Sequence, residues 1–238
     1  MIQECRSPRA ALELGWRRFR KLGPRVFLGQ LLLLAYERLG DRRGAGVGPL
    51  RPAGVPDEPP ADLSWHRVRN VNGKGVRRLL ERHRPAVCVV AGTSILRARV
   101  LRAAPLFLNL HCGITPAYRG VHGAFWAAYR RDWENAGVTV HAVDAGVDTG
   151  PIAAQGRIRV EPTDTRRTLV AKQYEAGTEL MIRAVRAGLD GTLRTYRRED
   201  LASRQWTSPT LSEYLSFRRV LRTLPRTGPG ALRPASRG

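Results

Sequence analysis

Apolar residues recur along the chain with two different periods. Between residues 8 and 39, Leu12, Leu14 and Trp16, then Phe27, Leu31, Leu32, Leu34 and Tyr36, follow helical spacing, and Gly23-Pro24 divides the run into two helices. The second suits a buried core helix and a lid equally well. Glycine, proline and mixed charges dominate from Gly40 to Leu63, which predicts a loop or crossing segment. Beyond it the pattern alternates: a helix over 75–83, a buried strand over 86–91, a helix over 94–103, a strand over 106–110 and a helix over 121–131. The run 137–143 (GVTVHAV) has period two and predicts a strand that pairs with 152–160 as a mixed or antiparallel edge. A long helix is expected over 165–189. Past Arg194 arginine and scattered prolines (Pro209, Pro225, Pro229, Pro234) predict irregular backbone, disordered over the last dozen residues.

Alternating helices and strands predict an α/β fold, and 238 residues suffice for one substantial core with a small appendage. A hydrophobic share of 42% beside 26% charged residues argues against wholesale disorder. The formal charge of +21 comes from 41 basic residues against 20 acidic ones, and all the basic residues except Lys21, Lys74 and Lys172 are arginine. Such a field attracts phosphates, nucleic acid or an anionic membrane surface without creating a specific nucleic-acid site. Cys5, Cys88 and Cys112 lack zinc-knuckle or disulfide spacing, which favours a reducing compartment, the cytoplasm. The longest apolar run, 26–36, is too short to span a membrane, and the charged segment preceding it does not resemble a signal peptide.

Candidate chemistry concentrates in two stretches. In 107–113 (FLNLHCG), strand alternation puts Asn109 and His111 on one face and Leu108 and Leu110 on the other. A carboxamide and an imidazole then project together near the carboxyl end of a strand, where open α/β sheets bind ligands. A buried histidine satisfied by a backbone carbonyl, with the asparagine closing a turn, fits the same spacing. In 143–152 (VDAGVDTGPI), two glycines and a proline build a tight loop that presents Asp148, with Asp144 suited to cap it. Either aspartate can accept backbone N–H groups; a carboxylate here can equally orient His111 or take a proton, directly or through water. Cys112 invites a nucleophile's role, but neighbours on a strand point to opposite sides, so His111 is poorly placed to activate it. Arg119 suits an anionic substrate or a loop-shaping contact, His122 a cap or packing role, and Trp126, Trp133 and Trp206 the core or its rim.

The stretch 109–120 (NLHCGITPAYRG), joined to 146–152 (GVDTGPI), resembles the catalytic core of the 10-formyltetrahydrofolate-dependent formyltransferases. That family includes glycinamide ribonucleotide, methionyl-tRNA and amino-sugar formyltransferases and the related formyltetrahydrofolate hydrolases. The likeness covers about residues 70–190 and rests on two separated motifs in the right order. It implies a Rossmann-like fold with a mostly parallel sheet. By resemblance the catalytic residues fall on Asn109, His111 and Asp148, and 10-formyltetrahydrofolate is the co-substrate. Its pterin pocket, lined largely by main chain, matches Gly92, Thr93, Ser94, Ile95 and Leu96 together with Val143, Asp144, Ala145, Gly146 and Val147. The resemblance speaks against a metal site built from His111, Cys112, His122 or His141.

The residues fit that chemistry. A formyl group passing from a folate nitrogen to an amine develops an oxyanion, for which Asn109 and His111 are donors. The attacking amine loses a proton, which Asp148 can accept through water while raising the basicity of His111.

Members of the family begin with a strand and a glycine loop beside the acceptor. Here the chain starts Met1-Ile2-Gln3-Glu4-Cys5 and turns helical at once, so that strand and its phosphate-cradling loop are expected to be lacking or diverged; either the sequence starts downstream of them or the acceptor site lacks them. The expected organisation is a helical segment and loop over 1–63, a formyltransferase core over 64–192 and an arginine-rich, partly disordered extension over 193–238. No tRNA-binding domain and no recognisable nucleic-acid module are visible in the extension. The expected function is N-formylation of a small amine metabolite, anionic or sugar-linked. Hydrolysis of the formyl donor comes second, and a non-catalytic basic protein binding RNA or an anionic surface third. A homodimer is left open.

Overall fold

The computed structural model describes residues 1–5, 8–40 and 63–225. The loop expected between residues 40 and 63 and the last dozen residues lie outside these, apart from the loop's two ends. Strand β1 (Ile2–Glu4) pairs in parallel with β2 (His66–Val68). This corrects the expectation that no strand begins the chain: three residues are too few for a periodic signal, and the partner lies more than sixty residues away. No glycine occurs between Cys5 and Pro8, so the divergence expected of a glycine loop remains in the sequence.

Helices α1 (Pro8–Leu22) and α2 (Pro24–Gly40) form a hairpin that turns at Gly23, whose φ of +78° is the left-handed conformation that glycine adopts without strain. Most of the apolar surface of α2 stays outside the core, with Leu28, Leu31, Leu32 and Leu34 about half exposed and Leu33 buried. Helix α3 (Lys74–His83) buries Val76 and Leu80 one turn apart. Helix α4 is only Ala98–Leu101, shorter than the 94–103 expected. Side chains from distant elements hold the residues before it: Glu4 accepts from Ser94 N (3.1 Å), and Asn72 donates to Ile95 O (2.9 Å) and accepts from Arg97 N (2.7 Å). Tertiary hydrogen bonds thus override local helix propensity there.

The main sheet runs in the order β3 (Cys88–Val90), β4 (Phe107–His111), β6 (Gly137–Ala142), β7 (Ile152–Arg157), with β3–β4 parallel and the other two pairings antiparallel. A third parallel pair joins β5 (Arg119–Gly120) to β8 (Gln205–Trp206), so three of the five described pairings are parallel. This is the α/β architecture the alternation predicts.

Helix α6 (Arg166–Leu189) starts at a capping box made by Thr165 and Thr168 and lies along one face of the main sheet. Its Met181 and Ala184 pack on Leu108 and Val140. A Cβ at Gly177 would stand 2.9 Å from both Leu110 Cδ1 and Val138 Cγ2, so the absence of a side chain there lets the helix approach the sheet closely. A second core joins α5 (Gly123–Tyr129) to Leu33, Leu169 and helix α7 (Leu211–Arg222). The expectation of irregular backbone beyond Arg194 is therefore corrected. Tyr214, Phe217 and Leu221 recur at helical spacing and are buried, and Thr210 with Glu213 forms the cap. The prolines flank this helix without entering it.

Candidate active site

The face of β4 away from α6 carries Asn109 and His111. Antiparallel register with β6 sets Asn109 opposite His141 and His111 opposite Thr139. The loop after β6 then folds back and brings Asp148 onto the same face. Its φ of +51° lies in the left-handed region, which aspartate and asparagine occupy more readily than other side-chain-bearing residues. Gly120 N donates to Asp148 Oδ2 at 2.9 Å, and Asn109 Nδ2 donates to Asp148 Oδ1 at 3.3 Å. His111 Nδ1 stands 3.4 Å from Asp148 Oδ2, and His141 Nε2 stands 3.5 Å from Oδ1 and 3.1 Å from Asn109 Nδ2.

His111 is buried, and its Nε2–H donates to Tyr118 O at 2.7 Å, which assigns the proton of the neutral ring to Nε2. The satisfied-histidine arrangement and the histidine–carboxylate arrangement thus coexist on one ring. A Cβ at Gly113 would lie 2.2 Å from Tyr118 O and 2.7 Å from His111 Nε2, so glycine makes room for this contact. Burial pushes the His111 pKa down, and His141 and Arg119 act the same way; Asp148 and the Tyr118 carbonyl oppose them without reversing the shift. Burial alone would raise Asp148. Its contacts with His141 and His111 and the Gly120 N–H outweigh it and hold the carboxyl below its ordinary range. The site therefore rests with an ionised aspartate facing the unprotonated nitrogen of a neutral histidine. It can accept one proton.

These side chains stand on the wall of a cavity of about 630 Å³, a size typical of small-molecule sites. Gly92, Thr93, Ser94, Ile95 and Leu96 line it, as do Val143, Asp144, Gly146 and Val147, whereas Ala145 of the same loop does not. Asp144 caps its own loop, accepting from Gly146 N (3.0 Å) and Thr149 Oγ1 (2.7 Å). Arg119, suited by its sequence position to an anionic substrate or a loop-shaping contact, donates from its guanidinium to Val147 O (2.8 Å) and Ser203 Oγ (3.0 Å) and is not among the residues that line the cavity. It shapes the loop that carries Asp148. Burial pushes the Cys112 thiol up to about 11, with Asp148 adding to the effect, so it stays protonated at neutral pH.

Three residues escaped the sequence reading. His141 and Thr139 share one face of the period-two run 137–143, a signal that was present, but only the register with β4 brings them to Asn109 and His111. Glu4 left no signal. Its carboxylate accepts from Val71 N (3.2 Å) as well as from Ser94, and so ties β1 to the loop that lines the cavity. His122 stands at the N-cap position of α5 without a side-chain capping bond and accepts from Arg166 Nη1 at 3.0 Å. Trp126 is buried and stacks on Trp206 at 4.7 Å, while Trp206 also borders the cavity.

A family model described as formyl transferase matches residues 53–185. The chain is similar to methionyl-tRNA formyltransferase of Chlorobium chlorochromatii, 29% identical over 178 residues, which are 74% of this chain and 56% of that protein. The chain thus spans little more than half the length of that relative. Among solved structures, a sugar N-formyltransferase from Shewanella sp. aligns with a TM-score of 0.53 at 15% identity, covering 66% of this chain and 67% of that one. Glycinamide ribonucleotide transformylase 1 from Symbiobacterium toebii aligns at 0.50 with 24% identity, covering 57% and 71%. Both share the fold.

Proposed function

The chain belongs to the formyl transferase family, and on that premise we propose that it moves a formyl group from 10-formyltetrahydrofolate to the amino group of a small metabolite. One observation supports this above the others: Asn109, His111 and Asp148 converge within 3.4 Å of one another's polar atoms, through Asp148, on the wall of a cavity of about 630 Å³. The two loops that resemble the family's pterin pocket border the same cavity, so the residues present fit the folate. When bound, the folate supplies the formyl carbon and the leaving nitrogen.

The chain's own residues account for the rest. As the amine nitrogen bonds to the formyl carbon, negative charge grows on the formyl oxygen. Asn109 Nδ2 gives its two hydrogens to His141 Nε2 and Asp148 Oδ1 at rest, and it can redirect one of them to that oxygen. The amine must also lose a proton. Asp148, ionised and partly open to the cavity, takes it directly or through water. His111 Nδ1 then shares it, since a protonated ring would donate to Tyr118 O and Asp148 together. The same proton can return to the folate nitrogen as the carbon–nitrogen bond breaks, which balances the transfer without a covalent enzyme species.

The Cys112 thiol is held protonated and takes no part. Among the described residues no helix is long and apolar enough to cross a membrane. The test is turnover of 10-formyltetrahydrofolate by purified protein, alone and with a panel of amines, followed by mass spectrometry. A formyl-sized mass gain on an amine supports transfer. Folate release without such a gain means hydrolysis, and silence in both assays overturns the proposal.

A further inference from the structure

Two cavities meet at Arg18. The catalytic cavity is lined on its α1 side by Arg18 and Lys21, and among the described residues its acidic lining consists of Asp144 and Asp148, which belong to the catalytic loop. A second cavity, of about 310 Å³, lies between α1 and α2 and shares Arg18 and Ser208 with the first. Its walls are apolar: Leu14, Phe27, Leu31, Leu33 and Leu34. At its polar end Arg166 is neutralised by an ion pair with Glu37. Arg18 is not: its hydrogen bonds go to two neutral atoms, Gln30 Oε1 and Ser208 Oγ, each at 3.1 Å. His122 adds no positive charge of its own, since burial, Arg166 and Arg18 hold its pKa down to about 3. A cation with no carboxylate partner among the described residues thus sits where an apolar slot opens onto the catalytic cavity.

We propose that Arg18 and the α1–α2 slot bind an anionic amphiphile, a hydrocarbon chain ending in a phosphate-type group, and that this molecule carries the amine to be formylated. Each half of the ligand answers one half of the site. A small hydrated anion would leave the leucine walls wet, whereas an uncharged hydrocarbon would leave Arg18 without a counter-ion. Leu31 and Leu34 are about half exposed and continue into exposed Leu28 and Leu32, so a chain longer than the slot has an apolar surface to follow. A second copy of this chain fits less well there, because +21 on each copy opposes contact between two basic hairpins. Only the identification of the amphiphile as acceptor rests on the formyl-transfer reading; its binding does not.

Calorimetric titration of the full chain with inorganic phosphate, hexyl phosphate and octyl phosphate tests this. Octyl phosphate should bind roughly tenfold tighter than hexyl phosphate, since two more methylenes are buried. Arg18→Gln should weaken octyl phosphate by roughly tenfold or more. Leu31→Glu, a change at a half-exposed position, should do the same, and Leu189→Glu, an exposed leucine at the far end of α6, should change nothing. Equal affinity for all three anions would reduce the site to a simple anion subsite and overturn the proposal. So would affinity untouched by Arg18→Gln and Leu31→Glu, or a Leu31→Glu variant whose sole change is dissociation of a dimer. Donor turnover without alkyl phosphate binding would sink this inference and leave formyl transfer standing; binding without turnover would do the reverse.

Discussion

Asp148→Asn removes one charge and little else. Asparagine shares aspartate's tolerance of the left-handed backbone found at this position, with φ of +51°, and its carbonyl can still accept from Gly120 N. The loss falls on the proton. In the native site an imidazolium at His111 would have its Nδ1 3.4 Å from Asp148 Oδ2, with both side chains largely shielded from water. At an effective dielectric of about 20, two opposite charges at that distance attract by about 5 kcal/mol. Asparagine supplies none of this, and its amide N–H would donate to Nδ1 and fix His111 as neutral. Five kcal/mol in the transition state corresponds to between three and four powers of ten in rate, the upper part of the range that general-base groups contribute. Single-turnover formyl transfer at saturating donor should therefore slow by about a thousandfold. Folate affinity should stay within about threefold, because the loop's main chain is unchanged. A rate loss smaller than tenfold, or one confined to KM, would refute the assignment of the proton to this pair.

Three further outcomes follow from the packing and electrostatics. Phe217→Ala deletes a fully buried ring between α5 and α7 and should cost about 3–5 kcal/mol in urea unfolding; a cost below about 1 kcal/mol would return α7 to the status of an appendage. The folded pKa of His122 lies near 3, below its unfolded value of about 6.5, so the unfolded chain takes up the proton first. Stability from this residue is complete above about pH 6.5 and is lost as pH falls toward 3. His122→Gln should flatten that part of the melting temperature against pH, and an unchanged slope would place the acid sensitivity elsewhere. With its thiol near 11, Cys112 should resist iodoacetamide at pH 7.5, and Cys112→Ala should keep formyl turnover within about fivefold. Rapid alkylation with parallel loss of turnover would reopen its candidacy as nucleophile.

What the sequence determined by itself was whatever depends on near neighbours in the chain. Period two in 107–111 fixed that Asn109 and His111 share a face opposite Leu108 and Leu110, because a strand alternates its side chains whatever it pairs with. Gly23-Pro24 divided the α1–α2 hairpin, and the glycines around Asp148 marked a tight loop. Resemblance at two motifs identified the family, and the family model's match over residues 53–185 spans both motifs.

Tertiary structure alone decided where distant backbone groups meet. Strand β1 exists through pairing with β2, more than sixty residues on, and three residues carry no periodicity to announce it. Antiparallel register across β4 and β6 delivers His141 to Asn109; a slip of one residue would have turned it to the other face. Glu4 and Asn72 hold 94–97 extended against its helical propensity, and α7 is recruited by a core assembled from α2, α5 and α6. Local periodicity specifies which face of an element is apolar, but the partner that buries it is chosen only when the chain closes on itself.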